Sequence, residues 1–315
     1  MITAPPKSAS WTLGDTPLIS VIVPSYNHQD FIYKCIDSIN SQSYENIELI
    51  FIDDCSVDET YERAFNLLNT PYGRRFKRID ISKNAENLGA HDTINLGISR
   101  ANGTLVTVIN SDDEFHPERI SAIVAEMKRR GASLGFSLVE VINDAGTTHS
   151  SDDLAPFLHF TVRQMLDLNR DVTAGFGLLR KNLAVSTGNI VFTKALYDAI
   201  GGFLPLKYCH DWDFVLQALF YGEPAVVQRP LYKYRLHPQN SFKGLAHLAE
   251  VETEVVLRRF FRRVVNAEPI NPICPSPSHW PGYFQQFIAR LGCSRHLDRE
   301  FGDGLKSWRT YQASD

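Results

Sequence analysis

The sequence has no long uninterrupted hydrophobic run. No stretch approaches the ~20 consecutive apolar residues that a transmembrane helix needs, and residues 1–17 lack the apolar core of a signal peptide. These absences exclude a membrane-spanning class of protein. We therefore expect a cytoplasmic protein, with any membrane contact peripheral and at the inner face of the membrane.

Cysteine is scarce, and basic residues are not in excess. The five cysteines are an odd number, no two are close in sequence, and there is no CxxC pair, which argues against a structural zinc site or a secreted disulfide framework. The 32 Lys and Arg residues are outnumbered by 36 Asp and Glu, giving a formal net charge of −4. A general nucleic-acid binder normally has a basic excess, so no nucleic-acid partner is expected.

A regular alternation of apolar strands and amphipathic helices runs through the first 130 residues. Such alternation predicts right-handed βαβ units and an α/β, Rossmann-like fold with a mostly parallel central sheet flanked by helices. The predicted strands cover 18–24, 47–52, 76–81 and 105–109, and the predicted helices cover 31–40, 59–68, 93–101 and 117–130.

The rest of the chain completes the predicted domain organisation. Residues 1–17 are interpreted as a flexible arm, 18–133 as a nucleotide-binding half, 134–242 as an acceptor half and 243–315 as a helical C-terminal extension. The acceptor half has predicted strands at 134–142 and 188–193 and a strand or extended arm at 231–237. The extension begins with a helix at 245–265, acidic first and basic last. That charge order suits the helix dipole, but the basic end also leaves a peripheral membrane contact open.

Carboxylates follow two of the predicted strands. Asp53 and Asp54 end the second strand, and Asp112 and Asp113 follow the fourth. In an open α/β sheet, ligands bind at the carboxyl ends of strands, and a hard divalent cation bridging a diphosphate would use such oxygens. The alternative is that these residues only begin turns or cap helices.

The first strand-to-helix turn has no glycine. Its sequence is PSYN at 24–27, so neither the GxGxxG of a dinucleotide-binding dehydrogenase nor a P-loop is present. Tyr26 offers a flat face for a nucleotide base. Phosphate charge must then be neutralised by a metal ion and side chains.

Residues 18–241 resemble family-2 glycosyltransferases of the GT-A fold. ISVIVPSYN at 19–27 is similar to the opening strand of that family, FIDDCSVDET at 51–60 resembles its VDDxSxDxT element, and residues 87–103 match its NxG…NxGI…AxG segment. The resemblance implies that Tyr26 packs on the donor base, Asp54 hydrogen-bonds a ring of the uracil type, and Asp53 supports the site. The nucleotide-binding residues implied by these motifs also include Pro24, Asn27 and Asn87.

VINSDD at 108–113 stands where the family has its DxD signature. By position, Asp112 is the implied ligand of a divalent cation, Mn²⁺ or Mg²⁺, and Asp113 is its neighbour. Asn110 replaces the usual first Asp and, with Ser111, is implied to contact the nucleotide. The substitution removes one negative charge and puts the strength of metal binding in doubt.

CHDWDF at 209–214 resembles the EDWDF element of the family. Asp211 matches the catalytic base, and His210 replaces the common Glu. A base is needed because a sugar hydroxyl is a weak nucleophile until its proton is removed. Asp211 could instead only cap the following helix, and Trp212 could pack in the core or line the acceptor site.

YRLHPQNS at 234–241 is similar to the family's YRxH…S motif. It implies His237 as a metal or pyrophosphate contact and Arg235 as a group that offsets phosphate charge. Gly188, Asn189 and Gly202 match segments that shape the sugar and acceptor pocket.

The resemblance implies an inverting transfer of a sugar from a nucleotide-diphosphate donor, with UDP favoured, to a hydroxyl of a glycan, lipid-linked glycan or protein. The pathway implied is cell-surface polysaccharide or glycoconjugate biosynthesis, and the oligomeric state is left open. Two alternatives remain: a sugar-nucleotidyltransferase and an inactive carbohydrate- or nucleotide-binding scaffold. The enzyme hypothesis requires Asp54, Asp112 and Asp211 to share one cleft.

Overall fold

The hydrophobic runs of the sequence form one eight-stranded sheet. The computed structural model describes residues 16–147, 160–238, 240 and 245–293. Within these residues the strands are β1 (Ile19–Ser25), β2 (Ile47–Asp53), β3 (Arg78–Lys83), β4 (Leu105–Val108), β5 (Glu114–Phe115), β6 (Leu134–Ile142), β7 (Ile190–Thr193) and β8 (Ala225–Arg235).

The sheet is mostly parallel, as predicted. Its order is β3-β2-β1-β4-β7-β6-β8-β5. β3, β2, β1 and β4 run parallel, β7 is antiparallel to β4 and β6, β8 is parallel to β6, and β5 is antiparallel to β8. The carboxyl ends of β1, β2 and β4 therefore meet at one edge, where the predicted site residues follow the strands.

Ten α-helices flank the sheet in the described part of the chain. They are α1 (Ile32–Asn40), α2 (Thr60–Leu68), α3 (Ala90–Ser99), α4 (Arg119–Arg130), α5 (Phe160–Leu168), α6 (Ala174–Arg180), α7 (Lys194–Ile200), α8 (His210–Leu219), α9 (Ala249–Asn266) and α10 (Tyr283–Arg290). None of these helices is both long enough and apolar enough to span a bilayer.

Both faces of the sheet are covered, which explains why its strands have continuous apolar runs. On β1, Ile22 belongs to the core cluster formed with α3, α6, α8, α9 and α10, whereas Val21 and Val23 belong to the cluster formed with α1, α2 and α4. All three side chains are fully buried. Burial of each such side chain contributes about 1.5–3 kcal/mol to stability.

Some strand predictions differ from the structure in their extents, and one short strand, β5, was not predicted. β3 begins at Arg78, two residues after the predicted start at Phe76, and β8 begins at Ala225 and ends at Arg235, whereas the predicted arm covered 231–237. β5 has only two residues, which is too short to give a periodic pattern in sequence. Its pairing with β8 brings Glu114 beside the carboxyl end of that strand.

The C-terminal helix α9 packs on α8. Phe260 and Phe261 are fully buried in the cluster that contains Phe214 of α8. Arg259 forms an ion pair with Asp213, and Arg263 donates hydrogen bonds to Gln217 and Tyr221. Two of the four arginines at the basic end of α9 therefore contact α8. The domain boundary at residue 242 stays a prediction.

Candidate active site

A single cleft opens at the carboxyl ends of β1, β2 and β4. Its volume is about 1180 Å³, larger than a typical drug-sized site and large enough for a nucleotide sugar together with part of an acceptor. Asp54, Asp112 and Asp211 all line it. The geometric condition that the enzyme hypothesis requires is met.

The structure separates the predicted site residues into two groups. Those that line the cleft are Pro24, Tyr26, Asn27, Asp54, Asn87, Asn110, Ser111, Asp112, His210, Asp211 and Trp212. Those that lie behind or beside its lining are Asp53, Asp113, Gly188, Asn189, Gly202, Arg235 and His237.

Asp54 organises the loop after β3. Its Oδ1 accepts a hydrogen bond from the Leu88 amide at 2.9 Å and its Oδ2 accepts one from the Gly89 amide at 2.8 Å. The side-chain amide nitrogen of Asn87 (Nδ2) donates to the backbone carbonyl of Asp54 at 3.3 Å. The neighbouring Asp53 is fully buried and faces inward. These contacts place Asn87 and the carboxylate of Asp54 at one wall of the cleft.

The turn after β1 is held in a left-handed conformation at Asn27, whose φ is +54°. Asparagine tolerates this region because its short side chain can hydrogen-bond locally. Here Asn27 Oδ1 accepts from the Val57 amide at 2.9 Å and the Asn27 amide donates to Ser56 Oγ at 2.9 Å. The turns after β1 and β2 are thereby joined, and Tyr26 remains 45% exposed beside the cleft.

Two histidines approach Asp112 from different elements. His237 Nε2 lies 2.9 Å from Asp112 Oδ2, and His28 Nε2 lies 4.0 Å from the same oxygen. One ligand atom from each of the three residues lies within 4.8 Å of the others. We call His28, Asp112 and His237 the triad.

The electrostatics of the triad suit a cation. Burial opposes ionisation of Asp112, but the hydrogen bond with His237 and the nearby imidazoles outweigh it and lower the pKa of the carboxyl. Burial also lowers the pKa of His28, which leaves its imidazole uncharged at neutral pH. One ionised carboxylate and imidazole nitrogens are ligands that divalent metals use, so the residues present fit the implied cation.

Asp113 points away from the cleft. Its carboxylate accepts hydrogen bonds from the Tyr232 hydroxyl, from the Arg235 amide at 2.8 Å and from the Asn110 side-chain amide at 3.0 Å. Burial, and then the neighbouring charge of Asp112, raise the pKa of Asp113 well above its ordinary value. Asp113 therefore supports the loop that presents Asp112.

Arg235 is fully buried, and its guanidinium contacts protein groups on every side. It donates to the Asp112 carbonyl at 2.7 Å and to the carbonyls of Asn143 and Asp144, and it forms an ion pair with Glu114 of β5. This position does not favour the phosphate contact predicted for Arg235. It favours a role in holding the loop that contains Asp112.

Asp211 lies in the first turn of α8 and lines the same cleft. Its Oδ2 accepts from the Asn182 side-chain amide at 2.9 Å, and its Oδ1 accepts from the Trp212 amide at 2.7 Å. Burial raises the pKa of Asp211, although His210 and these hydrogen bonds partly oppose the effect. A raised pKa makes the carboxylate a stronger base.

The segment that leads into α8 is held by α9. Glu252 accepts hydrogen bonds from three successive amides, those of Lys207, Tyr208 and Cys209, at 2.9, 2.8 and 2.8 Å. Amides before and at the start of a helix otherwise lack partners, and a carboxylate is favoured there by the helix dipole. Glu252 therefore fixes the backbone immediately before Asp211.

The remaining predicted residues have packing roles that the structure makes explicit. Trp212 is only 8% exposed, lies in the core cluster and also lines the cleft. Its place at an acceptor site stays a prediction. A Cβ at Gly188 would lie 1.9 Å from the Tyr232 hydroxyl, so only glycine fits there. Asn189 is fully buried, and Gly202 has a φ of +85°.

His28, Asn182 and Glu252 were not singled out in the sequence. His28 carried a usable signal, since it is a polar residue two positions after Tyr26 at the carboxyl end of β1. His210 was singled out, and its Nε2 lies 2.9 Å from Thr187 Oγ1. Asn182 and Glu252 carried no local signal, because their partners are far away in the chain.

The chain matches a known sequence family and a named relative. The sequence profile described as Glycosyl transferase family 2 matches residues 20–185. The chain is 35% identical over 225 residues to the putative colanic acid biosynthesis glycosyl transferase WcaA of Escherichia coli (strain K12), a match that covers 69% of this chain and 71% of the relative.

Two solved structures share the fold. The chain superposes on TarS 1-349 of S. aureus in complex with UDP-GlcNAc with a TM-score of 0.63 and 19% identity, covering 90% of this chain and 72% of that one. It superposes on the mannosyltransferase PcManGT of Pyrobaculum calidifontis, in complex with GDP-Man and Mn²⁺, with a TM-score of 0.51 and 15% identity, covering 95% and 81%. The expected GT-A α/β fold is confirmed.

Proposed function

This chain belongs to glycosyl transferase family 2 and is a glycosyltransferase, and we propose that it transfers a sugar from a UDP-sugar to an acceptor hydroxyl with inversion at the anomeric carbon. The observation that carries the proposal is the single cleft shared by Asp54, Asp112 and Asp211. Each of these carboxylates has a different environment, which supports three different roles.

At the nucleotide end, Tyr26 would stack on the base and Asp54 would accept a hydrogen bond from a pyrimidine N–H. Asp54 Oδ1 already accepts from the Leu88 amide and from the Asn84 side-chain amide, but Oδ2 accepts from the Gly89 amide and has a second lone pair for the ligand. The Asp54 carboxylate supports UDP as the nucleotide, because it accepts hydrogen bonds and the N–H of the uracil ring donates one. TarS, a structural neighbour, binds UDP-GlcNAc.

At the centre, Asp112 and His237 would hold the divalent cation. When bound, the cation supplies positive charge that stabilises the departing nucleoside diphosphate. Arg235 and Asp113 are buried behind the cleft lining and would keep Asp112 in place. Arg235 donates a hydrogen bond to the Asp112 carbonyl, and Asp113 accepts one from the Arg235 amide. PcManGT, a second neighbour, is described with Mn²⁺.

At the far end, Asp211 would remove the proton from the acceptor hydroxyl. As the new bond forms between the acceptor oxygen and the anomeric carbon, the bond from that carbon to the diphosphate oxygen breaks, and the electron pair leaves with the nucleoside diphosphate. The proton remains on a carboxylate oxygen of Asp211. The raised pKa of Asp211 supports this role, because it makes the carboxylate a better proton acceptor.

The acceptor that we propose is a glycan, lipid-linked or protein hydroxyl in surface-polysaccharide or glycoconjugate synthesis. The name of the relative WcaA, which refers to colanic acid biosynthesis, supports a polysaccharide pathway. The basic end of α9 adds little support for membrane contact, since Arg259 and Arg263 contact α8.

The proposal is tested by incubating the protein with a panel of nucleotide sugars, Mn²⁺ and candidate acceptors. We expect acceptor-dependent release of UDP and a product whose anomeric configuration, read by NMR, is opposite to that of the donor. In a parallel incubation with a nucleoside triphosphate and a sugar 1-phosphate, release of pyrophosphate would instead indicate a nucleotidyltransferase. Metal-dependent UDP binding without turnover on any acceptor would indicate a binding scaffold.

A further inference from the structure

We propose that His28 is a third protein ligand of the cation, and that two imidazoles with a single carboxylate make the triad select a first-row transition-metal ion over Mg²⁺. The inference builds on the cation of the proposed function. Its test, however, measures metal binding and needs no sugar transfer.

The first support is convergence. His28 comes from the turn after β1, Asp112 from the loop after β4 and His237 from the segment after β8, yet their ligand atoms lie within 4.8 Å of one another. The side chains of His237, Asp112 and His28 are 1%, 11% and 19% exposed. The triad is therefore largely shielded from solvent, and its most exposed member, His28, lines the cleft.

The second support is the way in which His28 is oriented. Its Nδ1 lies 2.7 Å from the hydroxyl of Ser111, the residue before Asp112, and its backbone amide donates to Thr60 Oγ1 at 2.8 Å. These contacts leave Nε2 as the ring nitrogen that faces Asp112. Metal-binding histidines are characteristically fixed in this manner through their second nitrogen.

The third support is the shortage of further oxygen ligands. Asn110 stands where a carboxylate is usual in the family, and its side-chain amide donates to Asp113 and to Ser186 Oγ, each at 3.0 Å. The carboxylate of Asp113 accepts from Tyr232 and Arg235 and faces away from the cleft. Among the residues that the structure describes, Asp112 is thus the carboxylate that remains for the cation.

The composition of the triad decides which ion it favours. Mg²⁺ prefers oxygen ligands in a near-octahedral arrangement, whereas imidazole nitrogen favours first-row transition metals. For a site of given ligands, affinity rises from Mn²⁺ to Co²⁺ along the usual series. The loss of one negative charge at Asn110 and the gain of one imidazole ligand at His28 would therefore shift the preference away from Mg²⁺.

The experiment uses the full chain, stripped of metal with a chelator and free of nucleotide. Free Mn²⁺ is followed by electron paramagnetic resonance during a titration, and Mg²⁺ and Co²⁺ are measured by competition. We expect binding to strengthen in the order Mg²⁺, Mn²⁺, Co²⁺, with at least about a tenfold step between Mg²⁺ and Mn²⁺. The visible spectrum of bound Co²⁺ provides a second readout that is sensitive to imidazole ligands.

The decisive variant is His28→Ala, with His116→Ala as the matched control, because His116 is a half-buried histidine outside the cleft lining. We expect His28→Ala to weaken Mn²⁺ binding about 10- to 100-fold and to alter the Co²⁺ spectrum, and His116→Ala to do neither. Ser111→Ala keeps the imidazole but removes its orienting contact, so it should weaken binding by a smaller factor. Thermal unfolding in chelator shows whether each variant is folded.

Two results would overturn the inference: unchanged Mn²⁺ affinity in folded His28→Ala and Ser111→Ala, or equal affinities of the native protein for Mg²⁺ and Mn²⁺. The first would leave the triad as a hydrogen-bonded cluster around Asp112. Failure of the proposed function is distinguishable, because it would show as intact metal selectivity without acceptor-dependent release of UDP.

Discussion

Two aspartates that line the cleft, Asp112 and Asp211, have pKa values shifted in opposite directions. Among the triad residues, the pKa of Asp112 is lowered by a hydrogen bond to one histidine and by the proximity of a second, despite its burial. In the first turn of α8, burial raises the pKa of Asp211, and the uncharged amides of Asn182 and Trp212 donate hydrogen bonds to its carboxylate. The aspartate at position 112 is thereby suited to bind a cation, and the aspartate at position 211 is suited to accept a proton.

The supports of the two ends also differ. Asp112 is held from below by Arg235 and Asp113, both of which lie within the motif-bearing part of the chain. Asp211 is held through Glu252 of α9, outside that part. We therefore propose that α9 positions the base that Asp211 is proposed to supply, and the following predictions test this comparison from the largest effect to the smallest.

The largest effect is expected for Asp211→Asn. This variant removes the base but keeps the shape of the side chain, so we expect kcat to fall about 10²- to 10⁴-fold with little change in UDP affinity. Steady-state kinetics and calorimetry with UDP and Mn²⁺ measure the two quantities. An unchanged kcat would remove Asp211 as the base.

Asp112→Asn should produce the complementary pattern. Loss of the ionised ligand should weaken Mn²⁺-dependent UDP binding and lower kcat/KM about 10²- to 10³-fold, the scale of removing one group that stabilises transition-state charge. The neighbouring Asp113 faces inward, so it should not restore metal binding. If the calorimetric affinity for UDP stayed metal-dependent and unchanged, the cation would have to bind elsewhere.

Glu252→Ala tests the support of the base end. It leaves three backbone amides without their acceptor, and we expect the free energy of unfolding to fall by about 1–3 kcal/mol. We also expect kcat to fall about tenfold while KM for the donor is retained, because a loss of about 1.4 kcal/mol in the barrier corresponds to a factor of ten. Denaturant titration and kinetics check both parts.

The matched control for that variant is Glu250→Ala, which removes an exposed carboxylate from the same helix. It should change stability by less than about 0.5 kcal/mol, as surface substitutions usually do. Equal effects of the two substitutions would contradict a positioning role for Glu252.

The smallest effect is a shift in pH dependence. Asp211 must be ionised to accept a proton, so activity is lost as the pH falls through its pKa, which lies above the ordinary value of 3.8. Asn182 donates to the ionised carboxylate and favours that form. Asn182→Ala should therefore raise the pKa further and move the acidic limb of the kcat profile to higher pH, whereas Asn169→Ala, at an exposed asparagine, should not.

The sequence predicted the carboxylates that line the cleft better than the residues that position them. Motifs at the ends of β2 and β4 identified Asp54 and Asp112, because parallel strands bring their carboxyl ends together whatever the details of packing. Asp211 was also identified, since its motif is local. Glu252 was not, because its contacts with Lys207, Tyr208 and Cys209 depend on how α9 packs on α8.

The direction of a buried basic side chain was also beyond local patterns. Arg235 was expected to contact phosphate, but a guanidinium at the end of β8 can turn toward the cleft or beneath it. The two-residue strand β5 decides the outcome, since it presents Glu114 beside β8, and so short a strand has no periodic signature. His28 lies two positions after Tyr26, and a lone histidine in a turn does not by itself indicate a metal ligand.

The most direct test of a cleft with two distinct acidic ends is an experimental structure of the Asp211→Asn variant with UDP and Mn²⁺. We expect the ion at Asp112 and His237, the base against Tyr26 and Asp54, and residue 211 facing the open part of the cleft without contact to metal. An ion bound at residue 211, or a nucleotide outside this cleft, would contradict the account.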